Sequence, residues 1–255
     1  MLREQLINAL NELLTPQQLK DYCPNGLQVE GTTNIKKIVT GVTASQALID
    51  RAIDMNADAI LVHHGYFWKS ETQVITGIKK NRIKALLEND INLIAYHLPI
   101  DVHPVLGNNA QLGKLLGLQN IAGLLGITPG NIVMAGSFDI PKSHDDLVLS
   151  LSNTFQRNVV SVGNKSSIST LAWCTGGGQG FIDEVVGKLH NGKPIDAFIS
   201  GEISEQTTHS AREQSIDYFS VGHHASERYG VKAVGEWLAD NHALDVMFVD
   251  IDNPA

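Results

Sequence analysis

An α/β fold in two similar lobes is what this sequence predicts, and three observations carry the prediction. Short apolar runs of strand length alternate with segments of helical period. Two of these alternations read as βαβ units, which are right-handed crossovers between parallel strands in nearly every case. The second half of the chain also repeats features of the first. The lobes are expected at residues 1–127 and 128–255, related by a pseudo-twofold, with the final segment able to pack back on the first lobe.

Residues 2–14 carry Leu2, Leu6, Leu10, Leu13 and Leu14 at helical spacing, and Thr15-Pro16 closes the run. Tyr22 to Gln28 reads as a turn built on Pro24 and Asn25-Gly26. A strand over 35–42 leads to Thr43-Ala44-Ser45, which offers N-caps for a helix carrying Ala47, Leu48, Ile49, Ala52 and Ile53. Ala59 to Val62 is an apolar run too short for a helix, and it ends in His63-His64-Gly65. A helix over 78–89 and a strand over 91–96 follow, then His97 to Asp101 as a corner bent by Pro99, and a helix over 108–116 stopped by Gly117.

Residues 126–131 connect the halves. Strands are expected at 132–138, 157–162 and 169–174, with a helix over 143–155 between the first two. A helix from Phe181 to Leu189 precedes a strand over 195–200. A helix over 204–214 leads to a strand over 218–221, a last helix opened by Gly222 to Glu227, and a final strand over 244–251. The repeat is visible as Ile49-Asp50 beside Ile182-Asp183, and Asp58-Ala59 beside Asp196-Ala197. It is visible again as Leu93–His97 beside Phe219–His223, each with an acid four residues on, Asp101 and Glu227.

At 255 residues the chain is long enough to bury one large core or two moderate ones. Its 43% hydrophobic and 18% charged content is that of an ordinary globular protein. A net charge of −8 and the lack of a basic run argue against a nucleic-acid groove. The two cysteines, Cys23 and Cys174, lie far apart and fit a reducing cytoplasm. No apolar run has the length of a membrane span, and Met1 opens a charged amphipathic segment rather than a secretory leader.

The chemistry is expected where strands end, because ligands of open α/β sheets collect beyond the carboxyl ends of the strands. The candidates are His63, His64, His97, Asp101, His223 and Glu227. Imidazole nitrogen and carboxylate oxygen suit zinc, iron, manganese or nickel. The set exceeds what one catalytic zinc needs and suits two ions with a shared carboxylate. Alternation along a strand should point His63 and His64 apart, unless the chain has already left the strand there; pointing apart, they could serve separate ions. Blander readings stand beside these. A helical first turn can use Ser226 or Glu227 to satisfy its free N–H groups, and Asp101 can hydrogen-bond locally at a turn. His224 is expected in solvent or behind the ligands, and His103, His144, His190, His209 and His242 on the surface. The glycine run Gly176 to Gly180 lacks a P-loop's lysine and reads as a tight turn carrying backbone close to the crevice.

Taken in order, NGLQV at 25–29, GVTASQALIDRAIDMNADAILVHHGYFW at 41–68, YHLPID at 96–101, GGGQGFIDE at 176–184 and GHHASE at 222–227 resemble the NIF-three-like family, the GTP cyclohydrolase I type 2 homologs. The resemblance implies a two-lobed NIF-three-like fold with a dinuclear metal centre between the lobes and assembly into a toroidal homohexamer. It implies His63, His64, Asp101, His223 and Glu227 as ligands, Glu227 bridging, and His97 as a catalytic or supporting residue. The implied activity is a metal-dependent hydrolase that directs a metal-bridging water at a nucleotide or related small molecule, as in opening the guanine imidazole ring of GTP with loss of formate. A non-catalytic metal-binding scaffold is the alternative. Thr43 departs from the family, where many members carry an acid after the Gly-Val. The additional middle domain of longer relatives is absent.

Overall fold

The computed structural model describes residues 1–255. Its helices and strands run in the order α1 (Arg3–Leu14), β1 (Gly26–Val29), β2 (Lys37–Thr43), α2 (Gln46–Asp54), β3 (Ala59–His64), α3 (Gly77–Glu88), β4 (Asn92–Ala95), α4 (Leu98–Val102) and α5 (Asn108–Leu115). There follow β5 (Gln119–Gly123), β6 (Met134–Lys142), α6 (His144–Phe155), β7 (Val160–Val162), β8 (Ile168–Cys174), α7 (Ile182–Val185), β9 (Leu189–His190) and β10 (Lys193–Pro194). The chain closes with β11 (Ala197–Ser200), α8 (Glu205–Glu213), β12 (Asp217–Ser220), α9 (His223–His242) and β13 (Asp245–Phe248).

Two compact units result: Met1–Ile100 with Gly230–Asp252, and Asp101–Tyr229 with Asn253–Ala255. The division falls at 100/101, where the sequence suggests 127/128, because α5 packs on β6 and β5 pairs with β6 in the second sheet. The first unit holds a five-stranded sheet of order β1-β4-β3-β2-β13, parallel except for β1 at its edge. Its core sets Val39, Ile60 and Leu93 of the strands against Leu48, Ala52 and Leu86 of the helices. Ser45 caps α2 as the sequence suggests, its hydroxyl accepting from Leu48 N at 3.3 Å.

The second unit holds a six-stranded sheet of order β5-β6-β8-β11-β12-β7. Strands β8, β11 and β12 are parallel and the others antiparallel. Leu147, Leu151 and Phe155 on one face of α6 pack with Trp173, Ile199 and Phe219 of the sheet.

The two halves also correspond in strand register. Ala59 pairs with Asn92 as Ala197 pairs with Asp217, and Ala59 pairs with Ile38 as Ala197 pairs with Leu171. The triplet β2-β3-β4 therefore corresponds to β8-β11-β12, each with an antiparallel strand beyond its last member. This register matches His97 with Gly222, one residue short of the alignment with His223 that the sequence suggests. His97 sits at the end of a strand path, whereas His223 is the first residue of a helix.

Local differences from expectation are small and have physical causes. The turn around Asn25-Gly26 runs directly into β1, which pairs with β4. The corner at Pro99 is the first turn of α4, a position that tolerates proline because its N–H would have no helical partner. The helix expected from Phe181 to Leu189 shrinks to Ile182–Val185, because Gly187 takes a φ of +79° and a short hairpin, β9-β10, follows.

Candidate metal centre

In the first unit β3 delivers His63 and His64, and the end of β4 delivers His97. His63 is fully buried. Its Nδ1 faces the Tyr96 carbonyl at 3.3 Å, which can only accept, so Nδ1 carries the proton and Nε2 is left as the ligand-type nitrogen. His64 Nδ1 lies 3.2 Å from the Thr43 hydroxyl, at the paired position of β2. Thr43, where the family resemblance leads us to expect an acid, thus supports a candidate ligand directly. His97 Nδ1 lies 2.7 Å from Asp21 Oδ1. In all three rings Nδ1 is engaged, the arrangement that fixes the orientation of metal-binding histidines.

The three rings cluster. Centroids are 4.4 Å apart for His63 and His64, 5.0 Å for His63 and His97, and 5.8 Å for His64 and His97. Each offers a donor atom within 4.8 Å of the other two. Adjacent strand residues are expected to diverge, but His63 and His64 do not: they close the strand, and their rings meet. Trp68 covers the group, its ring 4.9 Å from His97 and 5.9 Å from His64.

In the second unit α9 presents His223 and, one turn later, Glu227. His223 Nε2 lies 3.1 Å from Glu227 Oε2, and its Nδ1 lies 2.7 Å from Glu202 Oε1. Burial, the largest influence on His223, lowers its pKa, but the carboxylates of Glu227 and Glu202 outweigh it and lift it to about 9. Asp101 is buried; its Oδ1 accepts from Asn108 Nδ2 at 2.9 Å and from the Thr175 hydroxyl at 3.4 Å. It offers an oxygen within 4.8 Å of one from Glu227. Burial first, then these two carboxylates, push the Cys174 thiol well up, so it stays protonated.

The glycine run earns its place here. Gly176, at φ +64°, lies where any Cβ would collide with Glu227 Oε1, and its N–H donates to the Ser226 hydroxyl at 2.9 Å. Backbone is thereby brought against a candidate ligand, the close approach the sequence suggests for this turn.

Five proposed ligands and His97 are therefore placed in two donor groups, one in each unit. Imidazole nitrogens with buried carboxylate oxygens fit a borderline divalent ion. Asp21 is not visible in the sequence as part of the group. His224 is buried rather than in solvent, and His144 and His190 are buried as well.

Comparison with known proteins agrees with this architecture. The family model Duf34/NIF3 (NGG1p interacting factor 3) matches residues 1–254. A Vibrio cholerae protein named GTP cyclohydrolase 1 type 2 homolog is 56% identical over 253 residues, 98% of each chain. A solved structure described as protein ybgI, of unknown function, superposes with a TM-score of 0.93 at 49% identity over all of both chains. TTHA1606 from Thermus thermophilus superposes with a TM-score of 0.89 at 28% identity, again over the whole of each.

Proposed function

The chain belongs to the Duf34/NIF3 family, and from that premise we propose that it is a dinuclear metal-dependent hydrolase acting on a nucleotide or a related small molecule. His63, His64, Asp101, His223 and Glu227 would hold two divalent ions, with Glu227 shared between them. When bound, such ions supply Lewis acidity and lower the pKa of a water held there. The observation that carries the proposal is the clustering of His63, His64 and His97 within 4.8 Å, each with Nδ1 already engaged.

The chain's own residues divide the remaining work. Tyr96, Thr43 and Glu202 orient His63, His64 and His223 through their Nδ1 atoms. Asp101 and Glu227 bring negative charge into a buried place, where it favours a bound cation. His97 holds or moves a proton at Nε2, its Nδ1 being occupied by Asp21. The names of the relatives favour GTP as the first substrate to try.

The test is a turnover screen of GTP, its ring-opened products and simple phosphoesters at defined zinc, manganese, iron and nickel loading, with formate release followed for GTP. His97→Ala should lower the rate about 10²-fold or more, in the range of general acid–base contributions, while metal content holds. A metal-replete protein that turns over none of these substrates would identify the ions as structural and the chain as a scaffold.

A further inference from the structure

Asp21 belongs to no helix or strand, yet its carboxylate accepts four hydrogen bonds. Oδ1 accepts from His97 Nδ1 at 2.7 Å and from Tyr22 N at 2.6 Å. Oδ2 accepts from Asn25 Nδ2 and from Leu98 N, both at 2.9 Å. A carboxylate presents about four lone-pair positions, so all of them are taken. That count separates two roles. A metal ligand needs a lone pair directed at the cation, and Asp21 would have to break one of these bonds to provide it. An orienting group needs what is observed. Cys23 and His97 each bring a donor atom within 4.8 Å of Asp21, so a separate ion held by these three is the competing arrangement. The Cys23 thiol is pushed up to about 12, by burial first and then by Asp21, and stays protonated.

We propose that Asp21 is the positioning residue for His97: it fixes the imidazole as the Nδ1–H tautomer and leaves Nε2 as the atom that accepts or gives a proton. Asn25 completes the clamp. Its Oδ1 accepts from the His97 backbone N–H at 2.8 Å while its amide holds Asp21, so ring and backbone of His97 are fixed by the same loop. The Trp68 ring, at 81° to the imidazole, closes one side. The Asp21 carboxyl is held down at about 2: burial would raise it, and the hydrogen bonds from His97 and Asn25 outweigh that. It is therefore an acceptor throughout the neutral range. This inference rests on the role proposed above for His97.

The experiment uses the full chain, labelled with [15N]histidine, with and without zinc. Long-range 1H–15N spectra should show His97, identified by its loss in His97→Ala, protonated at Nδ1 and not at Nε2. Asp21→Ala should shift that tautomer toward Nε2–H and leave the bound zinc per chain unchanged. It should also lower kcat about 10–100-fold with KM within about twofold, the range seen when a supporting partner is removed. A wild-type His97 protonated at Nε2 overturns the proposal, and this readout needs no variant to fold. So does an Asp21→Ala protein that keeps the Nδ1–H tautomer, or one that loses zinc, which would make Asp21 a ligand. Wild-type protein that turns over no substrate overturns the hydrolase function alone; the tautomer and zinc readouts still decide the role of Asp21.

Discussion

Asp58 and Asp196 occupy the same place in two different sheets. The Asp58 carboxylate accepts the backbone N–H groups of Lys36 and Lys37 at 2.8 and 2.9 Å. The Asp196 carboxylate accepts those of Ser169 and Thr170 at 2.8 and 3.0 Å, and the Ser169 hydroxyl at 3.0 Å. Each aspartate precedes the middle strand of a parallel triplet and ties down the start of the strand beside it. Hydrogen bonds to a charged group contribute about 1.5–3 kcal/mol, so Asp58→Ala and Asp196→Ala should each destabilise the chain by about that much. Urea unfolding measures it. A loss below about 0.5 kcal/mol in both would show that the strands find their register without these anchors.

Gly176→Ala should disturb metal binding without altering any donor. The new methyl would occupy the place of Glu227 Oε1, on a backbone that already disfavours a side chain. Metal affinity should fall about tenfold or more. Gly187→Ala is the control: it shares the positive φ, at +79°, but nothing lies near its would-be Cβ. Equal metal affinity in the two variants would mean that Glu227 is not needed where it stands.

Metal binding should compete with a proton on His223. That group's pKa is raised from 6.5 to about 9 in the metal-free chain. A raised value means that the proton stabilises the folded chain fully below about pH 6.5, and that this contribution is lost as pH climbs through about 9. A metal must displace the same proton, so apparent affinity should rise about tenfold per pH unit between these limits and level off above them. Calorimetric titration with zinc in buffers of different ionisation enthalpy counts the proton released. Affinity that is flat from about pH 6.5 to about 9 would remove His223 from the ligand set.

His144 makes a fourth test, away from the candidate centre. The sequence suggests a surface position, but the residue is buried, with Nδ1 2.7 Å from Asp217 Oδ2 and Nε2 2.9 Å from the Ser161 hydroxyl. His144→Ala should cost about 2–3 kcal/mol by leaving Asp217 buried with a partner removed, and Ser161→Ala about 1 kcal/mol. Both should leave metal content unchanged. Loss of metal in either would show that the tether shapes the site as well as the fold.

What the sequence made legible was local. Apolar strand runs, the Ser45 cap, the His63-His64 strand end and the His223–Glu227 spacing are all carried by neighbours within one or two turns. The glycine run was legible as a close approach because only glycine suits that backbone. Contacts across long separations were not legible. Asp21 reads as an ordinary loop acid, because His97 and Leu98 lie 76 and 77 residues away. His144 reads as a surface residue for the same reason, with Asp217 73 residues on. The one-residue slip in matching the halves has a related origin: histidine and acid recur at similar spacing, but hydrogen-bond register, which the sequence does not display, decides which residues correspond.

The place of β13 has a consequence for how the protein is made. It pairs with β2, so the outer edge of β2 has no neighbour until residues 245–248 have been synthesised, after almost the whole chain. An open strand edge invites pairing with other chains, and a nascent first sheet therefore carries an adhesive border for most of its time on the ribosome. Chains cut short before Asp245 would keep that border permanently, and aggregation is the fate expected of them.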